Sequence, residues 1–207
     1  MPFEPCPSYH DRLFWYYRFI LGQGDESSKG DTVKLKLDIG AGITNRPGYI
    51  SVDKYDDHAN IKAPAHDLPY KNGEVDEIFS SHMIEHLPPP ELGPALREWN
   101  RILKKGGKLI IRCPNFEIYV REFLDGDCDY RFGADGMGKG WGVINIYGHQ
   151  TGGPGYLTRT GFTVERFKRI LPQFGFRVIR CKTTRTRVDG GVEFRTDGDI
   201  ICEAVKA

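Results

Sequence analysis

The hydrophobic positions of this chain follow two periods. Alternating or short continuous apolar runs, which are typical of buried strands, occupy residues 33–39, 49–53, 74–81, 108–114, 176–181 and 199–205. Apolar residues spaced three and four apart, the pattern of an amphipathic helix, run from Leu92 to Leu103 and from Phe167 to Phe174. Strands that alternate with helices predict an α/β fold with a mostly parallel sheet. Two final strands without a helix between them predict an antiparallel pair at one edge.

The ends of the two helices are also predicted. Residues 104–106, Lys-Lys-Gly, suit the C-terminus of the first helix, where the lysines favour the dipole and the glycine can cap it. Thr163 is the expected N-cap of the second helix, and Gly175 is its expected stop. Pro172 lies inside that second pattern and should end or kink the helix early, because proline lacks the N–H that the helix needs.

Composition limits the classes of function. The chain has 207 residues with 29 Lys+Arg and 28 Asp+Glu, and this balance near +1 argues against a dedicated nucleic-acid-binding protein. No apolar run approaches the length of a membrane-spanning helix, and the N-terminus lacks the pattern of a secretory signal. The five cysteines are scattered and form no C-x-x-C pair. We therefore expect reduced thiols and a cytoplasmic protein.

Two segments differ from the rest of the chain. Residues 1–31 combine a stretch dense in aromatic side chains with a linker rich in glycine and serine, and we expect a helical extension before a main domain of residues 32–207. Within that domain, residues 126–161 carry 11 of the 25 glycines together with aromatic side chains and His149. A long irregular insertion in a compact domain is often functional, so we expect a lid over the site.

Acidic residues and glycines mark the ends of the first strands. Asp38 ends the first strand, and Gly40 and Gly42 follow it, where they allow a tight turn and a close approach to a ligand. Asp53 ends the second strand, where a carboxylate can accept hydrogen bonds from ribose hydroxyls. Asp67 is expected at the end of the next strand. The carboxyl ends of parallel strands form one edge of a sheet, where ligands bind.

A nicotinamide-dependent dehydrogenase would also have a glycine-rich turn after its first strand. That fingerprint requires a third glycine and an acidic residue about 20 positions further on. Here Asn45 stands where the fingerprint has its third glycine, and Asp53 follows Gly40 by only 13 residues. The dehydrogenase interpretation is therefore disfavoured.

The ordered set LDIGAG, GYISVD, AHDLPY, EVDEIFSSHMIEHL and LKKGGKLIIRCPN resembles the class I S-adenosylmethionine-dependent methyltransferases. It is most similar to the methyltransferase type 11 branch, with its glycan and small-molecule methyltransferases. The resemblance implies a Rossmann-like sheet of seven strands in the order 3-2-1-4-5-7-6, with strand 7 antiparallel. It also implies S-adenosyl-L-methionine as cofactor, S-adenosyl-L-homocysteine as product, and a small-molecule or glycan acceptor as partner.

The resemblance further implies which residues contact the cofactor. The glycine loop would lie against the methionine part, Asp53 would hold the ribose, and residues 67 and 68 would border the adenine. The residues that end the fourth strand would line the sulfonium side. The full implied set is Asp38, Gly40, Ala41, Gly42, Asp53, Lys54, Asp67, Leu68, Ser81 and His82.

One stretch departs from the common pattern of the family. Only eight residues separate Gly40 from Tyr49, whereas a parallel crossover with its helix usually needs about a dozen or more. We therefore expect the first helix to shrink to a turn or two. The stretch NRPGYISVD is similar to the short connection of some glycan-modifying members of the branch.

Residues 82–86, HMIEH, also match the zinc motif H-x-x-E-H of one class of metallopeptidases. That chemistry requires both histidines on one face of a helix. A strand pattern runs in just before the motif and three prolines follow from Pro88, so a loop at the end of a strand is expected instead. We therefore predict no metal here and regard the metallopeptidase as an unlikely alternative.

The methyltransferase branch often has E-H-L at this position, which gives His86 a different role. One interpretation is that Glu85 and His86 only cap and orient the loop. The other is that His86 faces the acceptor as a general base, with Glu85 orienting its ring and His149 on the lid as an alternative base.

The reaction expected from these features is O-methylation of a small molecule or sugar. The Asn/Asp-Pro-Pro-Tyr signature of many amino-group DNA methyltransferases is absent, and SSHM stands in its place. A cofactor-binding protein on a catalytically degenerate methyltransferase fold stays open as an alternative. The basic positions between Arg177 and Arg187 fit either a charged edge strand or a site for an anionic acceptor.

Overall fold

The computed structural model describes residues 34–44, 46–125, 146–148, 154–189 and 192–207, with the backbone alone at 185–189 and 192–197. The chain divides into two compact units, Met1–Val33 and Lys34–Ala207. The predicted N-terminal extension lies outside the described residues, as does most of the predicted lid, including His149. No helix in the described part of the chain is both long and apolar enough to cross a membrane.

One sheet of seven strands forms the centre of the second unit. The strands are β1 Lys36–Ile39, β2 Ile50–Asp53, β3 Ile61–Lys62, β4 Val75–Ser81, β5 Leu103–Pro114, β6 Phe176–Asp189 and β7 Val192–Lys206. Their order is β3-β2-β1-β4-β5-β7-β6. β7 is antiparallel to both of its neighbours, and the other pairs are parallel. The predicted fold class and strand order are confirmed.

Three helices and three 3-10 turns accompany the sheet in the described residues. They are α1 Pro89–Ile102, α2 Phe116–Leu124 and α3 Val164–Ile170, with turns at Ile84–His86, Pro154–Tyr156 and Leu171–Phe174. The buried face of α1 consists of the predicted apolar stripe, Leu92, Ala95, Leu96, Trp99 and Ile102. The Trp99 indole donates a hydrogen bond of 2.9 Å to the carbonyl of Ala65.

The first helix ends earlier than predicted. α1 stops at Ile102, and residues 104–106 belong to β5 rather than to the helix C-terminus. The carbonyls of Arg101 and Ile102 accept hydrogen bonds from the backbone of residues 73 and 74. These partners from outside the helix satisfy its last carbonyls and make a glycine cap unnecessary.

The second predicted helix behaves as expected. The Thr163 side chain accepts a hydrogen bond from the backbone N–H of Arg166, which makes it the N-cap. α3 ends at Ile170, and Pro172 lies in the 3-10 turn that follows. Gly175 stops that turn in the left-handed conformation, with φ of 78°.

Two turns replace the helix of the β1–β2 connection. Among the described residues there, the N–H of Thr44 donates to Ala41 at 3.0 Å, and that of Tyr49 donates to Arg46 at 3.1 Å. The predicted reduction to a turn or two is confirmed. Arg46 covers the sheet instead, because its guanidinium lies 3.8 Å from the centroid of the Phe79 ring.

Two strand predictions were wrong in length. β3 ends at Lys62, so Asp67 lies in an exposed turn beyond it, where its N–H donates to Pro64 at 3.1 Å, and not at the strand end. The last two strands are longer than predicted. The pairing of β7 with β5 ends where Pro114 lies opposite Asp199. The pairing of β7 with β6 continues to Asp189 opposite Val192, at the turn between the two strands. The hairpin therefore extends past the carboxyl end of β5.

Candidate active site

The loop after β1 wraps around the end of β2. The N–H groups of Gly40 and Ala41 donate to the carbonyl of Val52 at 2.8 and 3.2 Å. Gly40 has φ of 73° and Gly42 has φ of 52°, a backbone region that favours glycine. A Cβ on Gly40 would lie 2.1 Å from Cγ of Met83, whereas a Cβ on Gly42 would meet no atom within 4 Å. The loop thus packs tightly at Gly40 and leaves open space at Gly42.

Replacing Gly40 with alanine should destabilise this loop and weaken cofactor binding. The substitution combines a positive φ with the overlap on Met83, and overpacking of this kind costs about 1–3 kcal/mol. Gly48→Ala is the matched control, since Gly48 also has a positive φ of 77° but has no atom near its would-be Cβ. Chemical denaturation should show the larger loss for Gly40→Ala. Equal losses in both variants would contradict the predicted overlap.

Asp53 joins the glycine loop to the loop after β2. Its Oδ2 accepts the N–H of Gly42 at 2.9 Å. Its Oδ1 accepts the N–H groups of Tyr55 at 2.8 Å and Asp56 at 3.0 Å. A carboxylate offers about four acceptor positions, and the donors in the described part of the chain occupy three of them. Asp53 therefore organises the edge of the sheet and can also bind at it.

The other predicted cofactor residues occupy different environments. Asp38 is buried, and its Oδ2 accepts a hydrogen bond of 3.2 Å from Nε of Arg46, so it holds the β1–β2 connection. Leu68 is buried and its N–H donates to Glu98, while Lys54 is exposed. The half-buried Ser81 ends β4.

His82 follows β4 and has a strained backbone. Its φ is 50°, and its N–H donates to the carbonyl of Arg112 at 2.9 Å. The ring lies between two carboxylates, with Nε2 at 3.0 Å from Oδ2 of Asp199 and Nδ1 at 3.5 Å from Oε1 of Glu85. Burial lowers the pKa of His82, but hydrogen bonds to both carboxylates outweigh it and raise the pKa to about 9. The imidazolium form is therefore favoured.

The raised pKa of His82 predicts that stability falls at high pH. Its folded pKa of about 9 lies above the ordinary 6.5, so the stabilisation is fully present below pH 6.5 and is lost as pH rises through 9. The loss is at most on the order of 3 kcal/mol. Urea unfolding at both pH values, compared between wild type and His82→Gln, measures it. If the free energy of unfolding had the same pH dependence in both proteins, the prediction that His82 is charged would be contradicted.

Glu85 and His86 lie in the 3-10 turn after β4. Glu85 is 4% exposed. Its Oε1 is 4.0 Å from Nε2 of His86, and its Oε2 has no hydrogen-bond partner among the described residues. Nδ1 of His86 lies 3.0 Å from the carbonyl of Leu157. A carbonyl only accepts, so Nδ1 carries a proton, and the lone pair that a neutral ring would present is the one on Nε2.

The prediction that Glu85 orients His86 was wrong in its geometry. The carbonyl of Leu157 orients the His86 ring, and Glu85 lies closer to His82. Asp199 was missed altogether. Its only sequence signal is an acidic residue at the start of an apolar run, and nothing in the sequence pairs it with a histidine 117 residues away.

The described ends of the predicted lid lie side by side. Thr158 donates its N–H to the carbonyl of Tyr147 at 3.2 Å, and Gly148 pairs with Leu157. Tyr147 and Tyr156 are both 55% exposed. The carbonyl of Leu157 also accepts a hydrogen bond from His86. The described end of the lid segment therefore contacts the candidate general base directly.

No metal site is found in the part of the chain that the structure describes. No group of three or more His, Cys, Asp and Glu side chains there could hold a metal ion. His82 precedes the 3-10 turn with a positive φ, so it does not share a helical face with His86. The geometry that a zinc peptidase requires is therefore missing from HMIEH.

Known proteins resemble this chain in one segment of its sequence and in its fold. Residues 37–111 match the family model described as a methyltransferase domain. No curated protein matches the chain. Among solved structures, a methyltransferase from Archaeoglobus fulgidus is 17% identical with a TM-score of 0.54, covering 95% of this chain and 94% of that one. A "possible histamine N-methyltransferase" from Thermotoga maritima is 19% identical with a TM-score of 0.52, covering 96% and 95%.

A third similar structure is 1,6-didemethyltoxoflavin-N1-methyltransferase from Burkholderia thailandensis, with bound 1,6-didemethyltoxoflavin and S-adenosylhomocysteine. It is 16% identical with a TM-score of 0.53, covering 100% of this chain and 93% of that one. At these identities the structures show the fold alone, and the family match concerns residues 37–111. The chain has the fold of the class I S-adenosylmethionine-dependent methyltransferases, and its residues 37–111 match the methyltransferase domain family, which together support this enzyme class.

Proposed function

We propose that the protein methylates an oxygen atom of a small molecule or sugar, with His86 as the general base. The orientation of the His86 ring carries this proposal. With Nδ1 bonded to the carbonyl of Leu157, the lone pair of Nε2 is available at the carboxyl end of β4. A hydroxyl acceptor must lose its proton when it is methylated, and a histidine titrates near working pH.

The residues at the sheet edge fit S-adenosylmethionine. The open space at Gly42 accommodates a ligand close to the backbone, and the fourth acceptor position of Asp53 beside it would accept from a ribose hydroxyl. When bound, the cofactor supplies a methyl group whose bond to sulfur breaks, with its electron pair left on sulfur, as the acceptor oxygen bonds to the carbon. The chain aligns both partners and excludes water.

The proton of the acceptor hydroxyl goes to Nε2 of His86 and then to solvent. Glu85 lies 4.0 Å from that nitrogen and can stabilise the imidazolium that forms. A positioned base of this kind contributes about 10²–10⁴-fold to the rate. The rest of the acceleration comes from alignment, because methyl transfer needs no covalent intermediate on the protein.

The described ends of the lid segment, which contact His86 through the carbonyl of Leu157, support a polar acceptor. The exposed rings of Tyr147 and Tyr156 lie at the described base of the lid segment. Aromatic side chains with hydroxyl tips suit a sugar, which has both apolar faces and hydrogen-bonding edges. A cytoplasmic location is part of the proposal. It is supported by Cys181 and Cys202, which are register partners across β6 and β7 and are free thiols.

A product screen tests the proposal. The purified protein is incubated with S-adenosylmethionine carrying a deuterated methyl group and with a panel of sugars, hydroxylated metabolites and amines. We expect mass spectrometry to find a labelled methyl ether. Labelled products at nitrogen alone would contradict the oxygen acceptor. Tight cofactor binding without any product across the panel would favour the catalytically degenerate alternative.

A further inference from the structure

Two histidines flank a single carboxylate oxygen beside the candidate active site. Oε1 of Glu85 lies 3.5 Å from Nδ1 of His82 and 4.0 Å from Nε2 of His86. Glu85 is almost completely buried, so water compensates its charge poorly. A proton on either ring nitrogen that faces this oxygen would be stabilised. The two histidines therefore compete for the same partner.

The position of Asp199 favours protonation of His82 over protonation of His86. It is 1% exposed, and its Oδ2 lies 3.0 Å from Nε2 of His82. The backbone of β7 fixes Asp199 opposite Pro114 at the carboxyl end of β5. With a carboxylate at each ring nitrogen, His82 is best satisfied when both nitrogens donate, which requires the charged form. His86 faces a carbonyl at its other nitrogen, and within the described ranges no second carboxylate is recorded beside it.

We propose that Asp199 is a positioning residue, which holds a proton on His82 so that Nε2 of His86 stays unprotonated and can accept the proton of the methyl acceptor. This inference rests on the proposed role of His86 as base. His82 and Asp199 do not touch the reacting atoms in this account. They compensate the charge of Glu85, which would otherwise attract a proton to His86 before the acceptor arrives.

Two further titratable groups near the cluster leave this charge balance intact. β5 contributes Cys113, whose thiol pKa is raised well above its ordinary value by burial and then by the charges of Glu85 and Asp199, so it stays neutral. α3 contributes Arg166, which lies over the Phe162 ring and donates to the backbone of Gly161. Asp199, His82 and Glu85 together carry one negative charge, which protonation of His86 during the reaction neutralises.

Asp199→Asn tests the proposal, because the amide keeps the size of the side chain and removes its charge. His82 should then lose its proton near neutral pH, and Glu85 should draw a proton to His86. The acidic limb of kcat/KM against pH should move upward by about one unit, which is a loss of up to about tenfold at the pH values of that limb. The loss should disappear at pH 9 to 10. Equal loss at every pH would indicate a purely structural role and overturn the proposal.

Glu203→Gln is the matched control. Glu203 lies on the same strand and forms an ion pair with Arg180 on a more exposed face, so removing its charge should leave the pH profile in place. An equal shift of the limb in this variant would overturn the assignment to Asp199. Unfolding in urea checks that both variants fold.

The protonation states of His82 and His86 can also be measured in the wild-type protein, without an activity assay. Nitrogen NMR of labelled histidine side chains in the wild-type protein at pH 7.5 should show His82 with two protonated nitrogens and His86 with a proton on Nδ1 only. A neutral His82 beside a charged His86 would overturn the proposal. If the spectra agree and His86→Ala keeps normal turnover, the base role of His86 fails, and the proposal built on it fails too, while the proton assignment stands.

Discussion

His86→Ala should lose about 10²–10⁴-fold in turnover while the affinity for S-adenosylmethionine barely changes. The reason is that the lone pair of Nε2 takes the acceptor proton, whereas the predicted cofactor contacts lie at the ends of β1 and β2. His86→Gln separates the two properties of the ring, because an amide N–H can still donate to Leu157 but has no comparable base. Turnover with the true acceptor and cofactor binding by calorimetry are measured in parallel.

His58→Ala is the control for this prediction. The His58 side chain is 93% exposed and lies 3.2 Å from Asp56 in the loop after β2, so its loss should leave turnover unchanged. Near-normal turnover in His86→Ala would contradict the base role. It would leave His149, the other predicted base, or an acceptor that is nucleophilic enough to need alignment alone.

Asp53→Ala should weaken S-adenosylmethionine binding by roughly 10- to 150-fold. The lost hydrogen bond to a charged acceptor is worth about 1.5–3 kcal/mol, and the alanine also releases Gly42 from Oδ2 of Asp53. Calorimetric titration of the folded variant measures the change. Asp57→Ala is the control, because Asp57 lies in the same loop with its side chain 79% exposed and pairs with Lys62. An unchanged dissociation constant in Asp53→Ala would remove the ribose assignment.

Local patterns were sufficient to predict most of the strands, the mostly parallel sheet and the antiparallel pair at its edge, whereas the strand order was implied by the resemblance to a known family. The alternation at β1 and the apolar runs at β4 and β5 reflect burial, which acts on each strand by itself. The lengths of β3 and of the β6–β7 hairpin were missed because these segments carry no burial pattern. β3 has only two residues, too few to show a period, and the outer hairpin is polar because it pairs beyond the end of β5.

The candidate site was predictable only in part. Asp53 follows a strand pattern directly, so its position at the edge was accessible from the sequence. The partner of His82 was not, because Asp199 lies beside it through the position of β7 between β5 and β6, which no local pattern reveals. The contact between His86 and Leu157 has the same origin, since the two residues are 71 positions apart. Long-range pairs of this kind are determined by packing and leave no local pattern.

The most direct test of the account is a map of cofactor binding on the backbone. Amide nitrogen–proton spectra of the labelled protein are recorded with and without S-adenosylhomocysteine, which binds without turnover. The account predicts the largest shifts in the glycine loop at 40–43, at Asp53 and the loop after it, and at residues 80–83. Shifts confined to other parts of the sheet, with these three segments unchanged, would contradict the assignment of this edge as the active site.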